Sequence, residues 1–240
     1  MTVGDRNMPD ASDFWTNYAC SRTPTSTRAS ACAAACGRSA GCATCSARRG
    51  VAGARAAGLS VEDHLNAEAA KVPPGCDGLM TVLDWLAPTD APYRKGTIPG
   101  FDGRQGRFHM YRSILEALAL TIHATGTHMA TELGTAYRHT VISGGSGSDL
   151  VMQIHADVFG VPAHRAEVNN AAGLGSAICA AVGLGAYRTF DEAIDAMVRP
   201  GAEFTPDQAH HDLYRRLGDV YRDIREHTDG IYRRSYDIFG

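Results

Sequence analysis

The chain has 240 residues, 44% hydrophobic, 20% charged and 8% aromatic, which is the make-up of one large globular domain or two small ones and excludes disorder throughout. Twenty-three Lys and Arg against 26 Asp and Glu leave a formal charge of −3 with no long run of one sign, so the sequence carries no footprint for nucleic acid or membrane lipid and points to a small-molecule partner. Ala171 to Tyr187, the most apolar stretch, is too short and too interrupted by Gly173, Gly175, Gly183 and Gly185 to span a bilayer. Met1 to Asp13 lacks the apolar core of a secretory signal. A cytoplasmic, reducing setting without disulfides is the expectation.

Cys20, Cys32, Cys36, Cys42 and Cys45 crowd the first fifth of the chain. Arg22 to Arg49 contains no Leu, Ile, Val, Phe, Tyr, Trp or Met, shows neither helical nor strand periodicity, and is expected to be disordered. Residues 1–50 therefore read as a disordered or aberrant segment, 51–200 as the main domain and 201–240 as a helical extension.

Punctuation sets the elements. Ser60-Val-Glu-Asp63 starts a short helix that stops at Val72-Pro-Pro-Gly75. Leu79 to Leu86 is expected as a strand, and Ala87 to Gly106, rich in Pro and Gly, as a loop. Arg107 to Leu133 is a long helix, with Ile114, Leu115, Leu118, Ile122 and Met129 at helical spacing and Gly134 ending it. A strand at Thr140–Ser143, a glycine turn, a helix at Asp149–Phe159, a strand near Val161–Ala166 and a helix at Ala171–Val182 follow. This order implies an α/β layer with part of its sheet parallel. A final helix from Pro206 to about Glu226 is expected to place Leu213, Leu217, Val220 and Ile224 on one face.

Three motifs carry possible chemistry. Cys32, Cys36, Cys42 and Cys45 suggest a zinc-binding interaction module, although only Cys42-Ala-Thr-Cys45 has knuckle spacing and no apolar residue is near to build a mini-core. Ser143-Gly-Gly-Ser-Gly-Ser148, between a strand and a helix, lets backbone N–H groups approach a ligand at a helix N-terminus; it lacks the Lys-Ser/Thr of a phosphate-binding P-loop. Gly173-Leu-Gly175 has no third glycine and reads as close helix packing. His123, His128, His210 and His211 read as solvated or capping. Asp84 and Asp102 flank the loop region and read as cleft-facing or merely solvated.

Four blocks in order resemble the C-terminal half of the FGGY carbohydrate kinases. Leu86-Ala-Pro-Thr-Asp-Ala-Pro-Tyr93 is similar to the family loop ending in Ala-Pro-Tyr, and Tyr111-Arg-Ser-Ile-Leu-Glu-Ala-Leu-Ala119 to its second signature. Ser143 to Pro162 resembles the turn and helix that hold adenosine, and Asn170-Ala-Ala-Gly-Leu-Gly-Ser-Ala177 the segment closing the nucleotide pocket. The resemblance runs from about Gly58 to Arg188. It implies an RNase H-like α/β domain of the actin-like ATPase superfamily, a sugar or polyol substrate, and ATP with Mg2+. Ser143, Gly144, Gly145, Ser146, Gly147, Ser148, Asn170, Ala171 and Gly173 would bind the nucleotide.

The resemblance places the general base and most of the sugar site in a preceding domain that nothing here matches. The chain thus reads as a truncated ATP-side half with no catalytic residue assigned, inactive alone and prone to self-association. A reading frame displaced by one nucleotide at Ala34–Cys45 permits a string, G-G-M-W-T-V-G-W-L-R-D-L, that resembles the family segment just upstream, which would make the cysteine cluster accidental. The alternative functional reading is a catalytically inactive remnant of such a kinase.

Overall fold

Short apolar runs alternating with glycine and serine punctuation between residues 140 and 183 impose a strand–helix–strand–helix order, and the chain follows it. The computed structural model describes residues 2–3, 15–17, 26–28, 53–136, 138–143, 147–168 and 170–239. In chain order the elements are β1 (Thr2–Val3), β2 (Trp15–Asn17), β3 (Ser26–Arg28), α1 (Val61–Ala69), α2 (Arg107–Glu132), β4 (Thr140–Ile142), α3 (Asp149–Phe159), β5 (Ala163–Ala166), α4 (Ala171–Gly183), α5 (Phe190–Met197), β6 (Pro200–Phe204) and α6 (Gln208–Phe239). They fall into two units, Met1–Cys32 with Ile122–Asp207, and Ala33–Thr121 with Gln208–Gly240.

In the first unit β4 and β5 run parallel, with Thr140 opposite Ala163 and Ile142 opposite Arg165, and β6 joins β5 antiparallel. The α3 crossover lays Met152 and Ala156 on Ala163, and Ile142 and Phe204 close the cluster. Burying a side chain the size of Met152 contributes about 1.5–3 kcal/mol. Ser148 caps α3 by accepting the Val151 N–H at 3.3 Å, and Gly160, at φ +65°, ends it. The buried Asp157 accepts hydrogen bonds from Gln153 Nε2 and the Asp207 N–H at 2.8 and 2.9 Å, which ties the chain after β6 to α3.

The strands β1, β3 and β2 form a separate antiparallel sheet in that order. Ser26–Arg28 lies inside the stretch expected to lack regular structure. Pairing on both sides supplies its backbone with partners, a bond set that needs no apolar side chain. The rest of Arg22–Arg49, and with it Cys20, Cys32, Cys36, Cys42 and Cys45, lies outside the described residues.

In the second unit α1 is capped by Ser60, whose Oγ accepts the Asp63 N–H at 3.0 Å and donates to the Asp63 carboxylate at 2.7 Å. Asp63 thus meets the cap hydroxyl, where a longer Glu would reach back to the backbone. Val72, Cys76 and Leu79 pack with Ile98, Phe108 and Met110. The Arg112 and Glu116 side chains on α2 are buried as a pair, Nε to Oε1 2.7 Å. Glu116 also accepts the Gly75 N–H at 3.2 Å and the Tyr214 hydroxyl at 2.9 Å, and Arg112 Nη1 donates to the Val72 carbonyl at 2.7 Å. Burial works against the Arg112 charge, but the Glu116 and Tyr214 bonds carry its pKa above the ordinary value.

Several expectations change. Leu79–Leu86 is no strand: its pairing stops at one bridge, Val82 to Thr97, because Pro99 accepts from Met80 but has no N–H to return. The last helix continues to Phe239, past Gly230, and its buried residues are Tyr214 and Tyr221, while Val220 is exposed. Neither α5 nor β6 was expected. The first is opened by Thr189, whose Oγ1 accepts the Glu192 N–H at 3.1 Å; the second is disguised by Pro200-Gly201. Among the described residues no helix is long and apolar enough to cross a membrane.

Candidate nucleotide site

Parallel strands point their carboxyl ends the same way, and ligands of open α/β sheets collect there. The register of Ile142 with Arg165 makes β4 and β5 end at about the same level, so the chain leaves both strands, at Ser143 and Glu167, from one end of the sheet. Two helices of 11 and 13 residues begin from those exits. An α-helix leaves its first N–H groups without intrahelical partners, which gives its N-terminus partial positive charge.

Ser143 follows β4 directly and is exposed, as is Gly147; Ser148 is the α3 cap. Gly144, Gly145 and Ser146 lie outside the described residues. Asn170 caps α4, its Oδ1 accepting the Gly173 N–H at 2.8 Å. A Cβ on Gly173 would lie 3.0 Å from the Asn170 Nδ2, so a side chain there would press on the cap amide. Ala171 and Gly173 are exposed on the first turn of α4. Among the described residues a Cβ on Gly175 would meet nothing within 4 Å, and one on Gly173 would meet the Asn170 side chain, so neither glycine lies against another helix there.

Asp149 lies inside the turn and helix that the sequence singles out, whereas its partner Arg165 carries no signal there. Arg165 Nη2 donates to Asp149 Oδ1 at 2.6 Å, directly after the Ser148 cap, and its guanidinium lies 5.1 Å from the Phe204 ring centroid. Only the strand register brings these positions together; no local pattern signals it.

The other singled-out residues are placed elsewhere. Asp84 is not a cleft carboxylate: it accepts two hydrogen bonds from Arg225, at 3.1 and 3.3 Å. Asp102 pairs with Arg104, which holds its carboxyl down at about 2. His123 is not simply solvated, since its ring stands edge-on to Phe159 at 5.0 Å. Among the described residues no three His, Cys, Asp or Glu side chains gather to hold a metal ion.

Parallel β4 and β5, followed by the capped helices α3 and α4, define a class of α/β domain whose ligands gather at the carboxyl ends of the strands. The chain matches the FGGY family of carbohydrate kinases, C-terminal domain, over residues 14–184 and belongs to that family. The match opens well before Gly58, where the motif resemblance begins, and so takes in the Ala/Arg/Cys-rich stretch.

The chain is 46% identical over 187 residues to the uncharacterized sugar kinase YgcE of Escherichia coli K12, covering 77% of this chain and 38% of that protein. It is 29% identical over 166 residues to the xylulose kinase of Bacillus subtilis 168, covering 67% of this chain and 33% of that one. The crystal structure of xylulose kinase from Rhodospirillum rubrum superposes with a TM-score of 0.71 at 25% identity, covering 93% of this chain and 44% of that chain. The chain therefore spans less than half the length of these relatives.

Proposed function

We propose that this chain is the nucleotide-binding half of an ATP-dependent carbohydrate kinase, acting on a sugar or polyol with Mg2+ on the phosphates. The observation that carries the reading is the common end of β4 and β5, from which the 143–148 turn and the Asn170-capped helix both depart. Ser143–Ser148 would line one side of the nucleotide, and Asn170, Ala171 and Gly173 the other. The residues fit that role: backbone is reachable where side chains are small, and two helix N-termini favour negative charge. We place the protein in the cytoplasm, with self-association through exposed apolar positions such as Leu184.

Phosphoryl transfer also needs an acceptor hydroxyl, its base and the phosphates held in line, and no described residue is assigned as that base. Isothermal titration of the chain with ADP and Mg2+ tests the binding, and Gly147→Val is expected to weaken it while the fold persists. Unchanged affinity in that variant would sink the site. ADP release measured against pentoses, hexoses, pentuloses and glycerol tests the activity. We expect binding without appreciable turnover from this chain alone; turnover of about 1–100 per second, usual for kinases, would show that its acceptor side is complete.

A further inference from the structure

We propose that Arg165 is a positioning residue for the nucleotide site: by pairing with Asp149 it neutralises a carboxylate that would otherwise repel an anionic ligand at the N-terminus of α3. The inference rests on the nucleotide-binding reading above.

Arg165 lies opposite Ile142, the last residue of β4, so its backbone stands beside the strand that feeds the 143–148 turn. Its side chain is held from behind, with the guanidinium against Phe204 and, among the described residues, a buried Nε that makes no hydrogen bond. One end alone reaches a carboxylate, through Nη2 to Asp149 at 2.6 Å. The two partners are unequally placed: the Arg165 side chain is 22% exposed and that of Asp149 80%. A cation fixed by packing thus reaches out to an anion standing in solvent.

Stability gives little reason for this arrangement. An ion pair with one exposed member contributes modestly, and an aspartate in the first turn of a helix is already favoured by the helix itself. An incoming polyphosphate meets a different balance. Asp149 follows the Ser148 cap, where helix N–H groups attract anions, and an unpaired carboxylate there would oppose that attraction within a screening length of about 8 Å at physiological salt. Paired with Arg165, it leaves the helix N-terminus available to the ligand.

The test uses the full chain, titrated with ADP plus Mg2+ and separately with uncharged adenosine, in wild type, Arg165→Gln, Asp149→Asn and the double variant, with chemical unfolding of each. Arg165→Gln should weaken ADP binding by about three- to tenfold at low salt and less at high salt, leaving adenosine unchanged. The double variant should return to within about twofold of wild type, a rescue that a merely structural role would not give. Wild-type binding of ADP with Arg165→Gln unaffected, or a loss that Asp149→Asn does not restore, would overturn the role of Arg165 alone. A wild type that binds neither ligand would overturn the nucleotide reading and the proposal with it. Should Arg165→Gln unfold, Asp149→Asn decides: it should bind ADP at least as tightly as wild type, and binding more than about threefold weaker would refute the proposal.

Discussion

Tyr214 donates its hydroxyl hydrogen to Glu116 at 2.9 Å, across 98 positions of sequence. That bond joins α6 to a carboxylate that also receives the Gly75 N–H, Arg112 Nε and, at 3.5 Å, the Cys76 thiol. Burial pushes the Tyr214 phenol and the Cys76 thiol upward, and both stay protonated as donors to Glu116. A buried pair so fully satisfied offsets its own desolvation cost, and removing one partner leaves that of the other uncompensated.

Glu116→Ala is therefore expected to destabilise the protein by about 3–5 kcal/mol, because Arg112 is left buried without its counter-charge. Tyr214→Phe, which removes one donor and keeps the ring, should cost about 1–2 kcal/mol. Urea unfolding of the two variants checks the order; equal losses would mean that the Tyr214 hydroxyl bonds, and not the stranded Arg112 charge, set the cost.

Stability should fall on mild acidification in a way that depends on His155. Burial lowers its pKa and outweighs the bond that Nδ1 donates to the Val151 carbonyl at 2.8 Å, which works the other way, so the folded chain holds the ring neutral. Since the unfolded value of 6.5 lies above the folded one, the unfolded state takes up the proton first. The contribution is whole above 6.5 and is lost as pH falls below it, by at most about 1.4 kcal/mol per pH unit. His155→Gln should flatten this part of the profile when unfolding free energies at mildly acidic and neutral pH are compared.

Two glycines should respond in opposite directions to alanine. A Cβ at Gly201 on β6 would lie 2.5 Å from the Arg165 carbonyl oxygen, across the irregular register between His164 and Ala166. Gly201→Ala should cost about 1–3 kcal/mol. Gly175→Ala meets nothing within 4 Å among the described residues and should gain about 0.5–1 kcal/mol within α4. Thermal unfolding separates the two by sign.

Asn170 combines a structural and a ligand-facing task, and two substitutions pull these apart. Asn170→Asp keeps an oxygen for the Gly173 N–H, so stability should hold, but the added charge should weaken ADP binding by about threefold or more. Asn170→Ala loses the cap and about 1 kcal/mol. Calorimetric titration beside denaturant unfolding reads both; full ADP affinity in Asn170→Asp would place the nucleotide away from α4.

Much of the first unit was legible because its signals are local. Ser148 and Gly160 bracket α3, and Asn170 opens α4, each through chemistry confined to a few neighbours. The α5 start was legible too, since Thr189-Phe-Asp-Glu192 has capping-box spacing, but it went unread. What escaped depends on distant pairing. Leu79–Leu86 has strand composition, yet its fate rests on Pro99 opposite it. The stripe on α6 was misphased because Tyr214 and Tyr221, amphipathic residues, are the ones buried, while apolar Val220 faces out. Arg165 with Asp149 belongs to the same kind: a contact made by register and invisible to spacing.

The family match ends at residue 184, yet α6, which begins at Gln208, supplies Tyr214 to the Arg112–Glu116 pair and Arg225 to Asp84. The stretch matched by the family model and the folding unit therefore have different edges. Cutting the chain where the family likeness stops would strip a buried ion pair of its lid, and the shortened protein should expose apolar and charged surface together and precipitate.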